Sequence, residues 1–279
     1  QVDIHAQFGG VFPEVASRQH IRTIYAIVDE ALQRAHVGLG DIDAIAVTRG
    51  PGLAGSLVIG MNYAKALAVA SNLPLIGVNH LEGHIYSAWL YPADTIRPPE
   101  PPQFPLLALL VSGGHTELNL MTAHLEYRRL GGTLDDAAGE AFDKVARLLG
   151  LPYPGGPVID RAAQEGDPTF IRFPRGLTAR HDMARHRFNF SFSGLKTSVA
   201  RWVEQRRLDG GEVPVADVAA SFQEAVCDVL TAKTIDAAQH LGVNSILIGG
   251  GVAANSRLRA LLEERAGEEN TSIDGDGVA

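Results

Sequence analysis

Short β-rich runs alternate with helical segments along the chain, and this order limits the possible folds more than any other feature. Aliphatic and β-branched runs predict strands over 43–48, 75–78, 106–111, 116–121, 127–130 and 245–248. Apolar residues at helical spacing predict helices over 13–35, 54–70, 80–90, 135–149, 158–164, 193–205, 216–241 and 255–266. The alternation is typical of α/β proteins, in which helices cover a sheet.

A proline-rich stretch divides the chain. Its 279 residues are 46% hydrophobic, enough for about two domains of roughly 150 residues each. Prolines recur between 92 and 105, a composition typical of linkers. We therefore expect an N-terminal α/β lobe over 1–103 and a C-terminal α/β lobe over 104–279.

The sequence excludes a membrane span and a disulfide framework. Its longest apolar run covers 106–111, whereas a membrane helix needs about 20 residues. The first residues carry no basic start followed by an apolar segment, so no signal peptide is expected. The single cysteine, Cys227, lies in a helical pattern and is predicted to be a buried free thiol. These features favour a reducing, cytoplasmic location.

Charge is distributed unevenly. The formal net charge is −8, which disfavours nonspecific binding of nucleic acid by the chain as a whole. The window 172–207 nevertheless carries +7, because nine basic residues are opposed only by Asp182 and Glu204. Phenylalanines are interleaved at 173, 188, 190 and 192, so the window suits either nucleic-acid contact or a solvated helix face beside a core strand.

Two histidines four residues apart form the sharpest chemical motif. His80 and His84 fall on one helical face, where neutral imidazoles can chelate a divalent metal. Asn79 is placed to cap that helix. Glu82 lies two residues after His80 rather than one, which argues against the helix of a zinc peptidase. A pair of surface or capping histidines is the alternative, and a metal site needs a further ligand.

Two glycine-rich turns follow strands. The turn within 111–116 lets backbone N–H groups approach an anion and adds the Ser112 hydroxyl, but Gly-Gly also suits an ordinary hairpin. The turn within 248–255 joins a strand to a helix and is suited to a nucleotide, although it matches neither the dinucleotide fingerprint nor the P-loop. Asn255 is equally compatible with a helix cap and a ligand contact.

The segment 135–144 is acidic. Some of its four carboxylates are expected to lie in the first turn of a helix, where they stabilise its partially positive N-terminus. Asp143, beside Phe142, is placed to accept a ribose hydroxyl. The turn over 153–157 brings backbone close to a neighbour, and Asp160 follows it.

Taken together, these blocks resemble the TsaD family of tRNA adenosine threonylcarbamoyltransferases, formerly classed as O-sialoglycoprotein endopeptidases. The resemblance runs in order through 9–18, 50–53, 79–84, 111–116, 135–144, 153–157, 191–196 and 249–255. Each block is weak alone, but their number and order are specific.

The resemblance implies an actin-like ATPase fold, with two α/β lobes around a cleft. It also implies a reaction. The threonylcarbamoyl group passes from threonylcarbamoyl-AMP to the exocyclic amine of the adenosine 3′ of the anticodon, in tRNAs that read codons beginning with A, and AMP leaves. Bacterial members act with a paralogue of similar fold and a small ATPase.

The same resemblance assigns residues. His80 and His84 match the two metal-binding histidines, the metal being iron or zinc. The substrate-binding turn is matched by Leu110, Val111, Ser112, Gly113 and Gly114. Further substrate or nucleotide contacts are matched by Asp143, Gly156, Asp160 and Asn255. No residue is singled out as a general base.

The two ends depart from the family pattern. Family members begin with a strand and hairpin bearing a Gly-Ile-Glu-Thr-Ser-type motif, and we expect this chain, which starts at Gln1, to begin after it. The family's third metal ligand is an Asp of a C-terminal Asp-Asn segment, whereas the resemblance here ends after about Glu264. Asp274 and Asp276 are the candidate substitutes, in a Gly-flanked tail expected to be disordered.

Two other functions stay open from the residues alone. A non-catalytic relative would serve as a partner subunit of the same complex, and the departures at the ends favour it. A metallopeptidase is disfavoured by the position of Glu82.

Overall fold

A computed structural model describes residues 4–5, 7–8, 10–90, 101–268 and 272–274. The chain divides into two compact units, Gln1–Gly83 and His84–Ala279. The boundary expected near 103/104 lies beside the stretch 91–100, which is outside the described residues, so that boundary stays a prediction.

The first unit is a small parallel α/β layer. It contains α1 (Pro13–Ala35), β1 (Ile45–Gly50), α2 (Ala54–Ser71) and β2 (Leu75–Asn79). β1 and β2 pair in parallel, with Ile45 opposite Leu75. Such pairing needs a crossover, which α2 supplies. Both helices end at residues in the left-handed conformation, His36 and Asn72, a common way for a helix to stop. Each end lies within one residue of the predicted one.

The second unit is built on a mixed five-stranded sheet in the order β5-β4-β3-β6-β7. β3, β4 and β5 form an antiparallel meander, whereas β6 and β7 run parallel to β3. The strands are β3 (Leu106–Val111), β4 (Thr116–Ala123), β5 (Glu126–Gly132), β6 (Ser245–Gly249) and β7 (Ser272–Asp274).

Helices accompany this sheet. They are α4 (Ala138–Leu148), α5 (Gly155–Ala163), α6 (Arg180–His186), α7 (Ser193–Leu208), α8 (Val215–Leu241) and α9 (Ser256–Glu268). The short α3 (His80–Tyr86) carries the histidine pair and continues as a 3₁₀ turn, Ser87–Trp89. A second 3₁₀ turn, Gly251–Ala254, follows β6.

The core of the second unit lies around β3 and α8. Every residue of β3 is buried, as expected for a central strand covered on both faces. Phe142 of α4 packs edge-to-face on Phe222 of α8. Cys227 is buried and makes no disulfide, as predicted.

Most predicted elements are confirmed, with ends shifted by a few residues. The helix predicted over 80–90 becomes α3 and a 3₁₀ turn, and α6 and β7 were not predicted. The tail expected to be disordered contributes β7 over 272–274, and Asp276 lies outside the described residues. Among the described residues, no helix is long and apolar enough to span a membrane.

Candidate functional site

A cavity of about 530 Å³ opens in the second unit. Its walls come from the β3–β4 turn, the start of α4, the turn into α5, α5 itself and the segment after β6. The lining is mostly apolar, with a few polar groups, as is usual for a small-molecule site. The lining residues are Gly113, Gly139, Phe142, Asp143, Tyr153, Pro154, Gly156, Pro157, Asp160, Arg161, Gly251, Val252, Ala254 and Asn255.

Glycines allow the walls to approach one another. A Cβ on Gly139 would lie 2.7 Å from the Ser112 carbonyl oxygen, and one on Gly155 would lie 2.5 Å from the Cα of Asp143. A Cβ on Gly250, whose φ is +94°, would lie 2.5 Å from the Val111 carbonyl oxygen. A larger residue at any of these positions would force two elements apart, so the glycines set the shape of the cavity.

Asp143 presents an acceptor to the cavity. Its Oδ1 accepts the Gly155 N–H at 2.7 Å, and within the described residues this is its only hydrogen bond. Burial raises the pKa of Asp143, the Gly155 N–H opposes that rise, and the charge of Glu140 adds to it. Oδ2 is therefore a partly desolvated acceptor that has no hydrogen-bond partner among the described residues, and a ligand hydroxyl would satisfy it.

The Asp160 carboxylate accepts hydrogen bonds from Ser256, the first residue of α9. Its Oδ1 accepts the Ser256 hydroxyl at 2.6 Å and its Oδ2 accepts the Ser256 N–H at 3.2 Å. The carboxylate thus fixes α5 to the beginning of α9.

Asn255 is held in one orientation by a buried network. Its Oδ1 accepts the Leu258 N–H at 3.0 Å and lies 3.5 Å from Cys227 Sγ, and its Nδ2 donates to Gln223 Oε1 at 2.8 Å. Burial raises the pKa of the Cys227 thiol well above its usual range, which keeps the thiol protonated as a donor. Asn255 therefore caps α9 and also lines the cavity, so both of its predicted roles are compatible with one geometry.

These contacts set the electrostatics of the cavity. The N-terminus of α5 is capped by Asp143 and that of α9 by Asp160, each carboxylate coming from a different element. A helix N-terminus otherwise attracts anions such as phosphate. Because carboxylates already occupy both, this part of the cavity suits an uncharged group with hydroxyls better than a phosphate.

The cavity gathers five of the predicted substrate contacts, namely Gly113, Asp143, Gly156, Asp160 and Asn255. Leu110 and Val111 are buried in β3 and support the turn from beneath. Ser112 and Gly114 lie in the β3–β4 turn, where the Ser112 N–H donates to the His115 carbonyl at 2.7 Å. The turn is thus a hairpin whose Gly113 also faces the cavity.

Several lining residues carry no role in the sequence analysis. Tyr153 and Pro157 belong to the turn already singled out, and burial followed by the charge of Asp143 raises the pKa of Tyr153. Arg161 directly follows the predicted contact Asp160, and Val252 lies in the glycine-rich turn that ends at Asn255, which are the only sequence signals that pointed to them.

The histidine pair lies on α3 as predicted. Asn79 Oδ1 accepts the Leu81 N–H at 2.9 Å, so Asn79 caps this helix. Two imidazoles one turn apart fit part of a metal's ligand set. Within the described residues, no group of three or more His, Cys, Asp or Glu side chains is placed to hold a metal ion.

One carboxylate of the acidic segment, Glu140, lies in the first turn of its own helix α4, as expected, whereas Asp135 and Asp136 are engaged by other residues. Asp135 accepts the hydroxyls of Ser191 and Ser193 at 2.6 and 2.7 Å and the Phe192 N–H at 2.8 Å, so it caps α7 instead. Asp136 binds Lys144 and Lys196 at 2.8 and 2.7 Å. Both carboxylates fix the fold around the cavity, whereas Asp143 alone of the segment's aspartates faces it.

The basic window separates into structural and available cations. Arg175, Arg187 and Lys196 are held by Asp228, Asp236 and Asp136. The side chains of Arg206 and Arg207 donate to backbone carbonyls. The exposed side chains of Arg172, Arg180, Arg185 and Arg201 make no hydrogen bond or ion pair within the described part of the chain.

The interleaved aromatics belong mainly to the core. Phe173, Phe190 and Phe192 are at most 2% exposed, because each packs into the hydrophobic cluster around α8. They are therefore unavailable to stack on bases, and the nucleic-acid interpretation of the window rests on its cations.

Comparisons with known proteins agree on one family. The family model TsaD, tRNA N6-adenosine threonylcarbamoyltransferase, matches residues 1–273. A protein of that name from Dehalococcoides mccartyi is 54% identical over 95% of this chain and 76% of its own length. One from Synechococcus is 52% identical over 98% of this chain and 71% of its own length.

A solved structure shares the fold. Full-length HypF, in a phosphate- and nucleotide-bound form, matches 92% of this chain and 39% of its own length, with a TM-score of 0.61 and 13% identity. This likeness concerns the fold alone.

Proposed function

Because the chain belongs to the TsaD family of tRNA N6-adenosine threonylcarbamoyltransferases, we propose that it modifies tRNA at the adenosine 3′ of the anticodon. The donor is threonylcarbamoyl-AMP, the acceptor is the exocyclic amine of that adenosine in tRNAs reading codons that begin with A, and AMP leaves. The family match over nearly the whole chain carries this proposal.

The cavity would bind the adenylate part of the donor. Its apolar walls suit a base, and Asp143 Oδ2, which accepts no hydrogen bond from the described part of the chain, suits a ribose hydroxyl. Adenosine would lie on the turn that ends at Asn255. The phosphate would point toward Gly113 in the β3–β4 turn, since Asp143 and Asp160 already occupy the starts of α5 and α9.

Transfer then needs stabilisation of charge on the carbamoyl oxygen. The amine attacks the carbamoyl carbon, negative charge develops on its oxygen, and the bond to AMP breaks. Backbone N–H groups near Gly113 and Gly114, at the exposed tip of the β3–β4 turn, would donate to that oxygen; the Gly114 N–H would exchange its long contact to Ser112 Oγ, 3.4 Å, for this bond.

A divalent metal, iron or zinc, would be held by His80 and His84. It would polarise a carbonyl as a Lewis acid and orient the threonyl part of the donor. Remaining ligands would come from water, the donor or residues outside the described part of the chain.

The tRNA would meet the protein on its basic window. Arg180 and Arg185 lie exposed on α6, and they, Arg172 and Arg201 form no side-chain hydrogen bond or ion pair with any residue that the structure describes, so these four cations of the window are offered to phosphates. We place this reaction in the cytoplasm, where tRNA is available.

Partner proteins and a two-lobed, actin-like architecture complete the proposal. We expect a paralogue of similar fold and a small ATPase to assemble with this chain. Helices α1 and α2 expose large apolar side chains, Ile21, Tyr25, Ile27, Val58 and Val69, between 57 and 83%. Exposed apolar surface of this kind is typical of protein interfaces.

A transfer assay tests the function. The chain is incubated with threonylcarbamoyl-AMP, Fe²⁺ or Zn²⁺ and an unmodified tRNA reading an A-initial codon, with and without the partner proteins. The tRNA is digested and threonylcarbamoyladenosine is measured by mass spectrometry. We expect product from the wild type and much less from His80→Ala, whereas His36→Ala, at the end of α1, keeps activity. If the folded protein gives no product under any condition, the result would contradict the proposed activity and would favour the alternative, a non-catalytic partner subunit.

A further inference from the structure

Arg161 is the one cationic side chain among the residues that line the cavity. Its Nε lies 3.4 Å from the Pro157 carbonyl oxygen, one turn earlier on α5, and within the described residues it makes no other hydrogen bond or ion pair. The neighbouring Asp160 is engaged by Ser256 instead. The flat face of the guanidinium and both Nη groups therefore remain available to a ligand.

The position of Arg161 assigns it to one end of the cavity. Asp160, the preceding residue on α5, bonds to Ser256, so this part of α5 is fixed beside the segment Gly251–Asn255. Val252 and Ala254 of that segment line the same cavity and give it an apolar wall. Arg161 therefore lies at the end where carboxylates disfavour a phosphate and apolar side chains favour a base.

We propose that Arg161 covers the nucleobase of the bound adenylate, with its guanidinium stacked on the ring. The planar, weakly hydrated guanidinium stacks on aromatic faces, which the ammonium of lysine does not reproduce. The weak bond to Pro157 holds the side chain along the cavity wall. This inference rests on the proposed function, and it adds a residue that determines affinity for the nucleoside part of the donor.

Calorimetric titration with adenosine and with AMP tests it. We expect Arg161→Ala to weaken both ligands by the same factor, about threefold to tenfold, since the lost contact is to the base that they share. Arg161→Lys should recover little of that loss. Arg147→Ala, an exposed arginine on α4 outside the cavity lining, is the matched control and should bind like the wild type.

Four results would overturn the inference. Weakened AMP with unchanged adenosine would assign Arg161 to the phosphate. Unchanged binding of both ligands, or full recovery by lysine, would remove the stacking role. If the wild type binds neither ligand, the proposed nucleotide site itself fails and the inference fails with it. Because Arg161 is exposed, thermal melting should show all variants folded like the wild type.

Discussion

At the residue scale, the Asp143 carboxylate lowers the stability of the folded protein and offers a hydrogen-bond acceptor to a ligand. Its carboxylate is partly buried and its pKa is raised by burial, so the folded protein resists the ionised form. A group whose pKa is higher in the folded state reduces stability as the pH rises above its unfolded value. A ligand hydroxyl donated to the open oxygen would compensate, which is typical of functional sites.

Asp143→Asn should separate these two effects. At pH 7 we expect its free energy of unfolding to equal or exceed that of the wild type, because a desolvated charge is removed while an oxygen still accepts the Gly155 N–H. Affinity for AMP should fall about tenfold, the loss of one hydrogen bond to a charged group. Denaturant unfolding and calorimetry measure the two quantities.

The stability difference should vanish near pH 3, where Asp143 is protonated. Asp29→Asn, on exposed α1, is the control. A variant that unfolds more easily at pH 7 while binding AMP normally would refute the assignment.

Two adjacent glycines should respond differently to the same change. Gly250→Ala should lower the free energy of unfolding by about 1–3 kcal/mol or more, because φ is +94° and its Cβ would meet the Val111 carbonyl. The Cβ introduced by Gly251→Ala would have no atom within 4 Å, but it adds a methyl group to the cavity lining. We therefore expect Gly251→Ala to keep its melting temperature and to weaken AMP binding. Equal effects of the two substitutions on both measurements would contradict the described wall.

At the element scale, the sequence predicted every described strand except β7, and the glycine-rich turns, because these signals are local. It missed α6, which is seven residues long and mostly polar, so it has no apolar period. Tertiary contacts define α6 instead. Buried Lys233 donates to the carbonyls of His186 and Arg187 at 2.9 and 3.1 Å, and burial lowers the pKa of Lys233 to about 8.

The same limit explains the acidic segment. Some of the four carboxylates were expected at the start of α4, and Glu140 lies in its first turn. Asp135 bonds instead to Ser191 and Ser193, and Asp136 bonds both to Lys144 of α4 and to Lys196, 60 residues away. Of the cavity lining, sequence motifs predicted Gly113, Asp143, Gly156, Asp160 and Asn255, whose types are informative. They did not predict Tyr153, Pro157 or Arg161 as lining residues, because only the packing of α4, α5 and the turn after β6 brings them together.

Asp135 should make stability pH-dependent through α7. Burial opposes ionisation, but hydrogen bonds from Ser191, Ser193 and Phe192 outweigh it and lower the pKa of Asp135. The stabilisation is therefore present above pH 4 and is lost as the pH falls through the lowered pKa. Because Asp135 is largely exposed, we expect Asp135→Asn to cost only about 1 kcal/mol at pH 7.

The cost of Asp135→Asn should shrink toward pH 3 in denaturant titrations. Asp209→Asn is the matched control, because it makes the same substitution at an exposed carboxylate that accepts a hydrogen bond from the Gln205 side chain. A cost that stays constant between pH 7 and pH 3 would show that ionisation of Asp135 does not hold α7.

At the scale of the whole molecule, an acidic protein binds an anionic substrate only if its cations are grouped. The ion pairs divide the basic window into arginines that hold the fold and arginines that are uncommitted. This division predicts which substitutions affect tRNA and which affect folding.

Arg180→Ala with Arg185→Ala should weaken tRNA binding at low salt and reduce the salt slope by about 1 to 2, since each phosphate contact contributes roughly one unit. Melting temperature should not change. Arg18→Ala with Arg34→Ala removes equal charge from exposed α1, where each arginine pairs with a glutamate, and should leave the slope nearly unchanged. Equal slopes for both double variants would place tRNA on another face. Filter binding from 50 to 300 mM salt gives the slopes.

The most direct test of the account is a crystal structure of the chain with AMP. We predict the nucleotide in the cavity lined by Asp143 and Asn255, with a ribose hydroxyl within hydrogen-bond distance of Asp143 Oδ2 and the phosphate toward Gly113. Nucleotide bound elsewhere, or this cavity empty at saturating AMP, would contradict the assignment of the site.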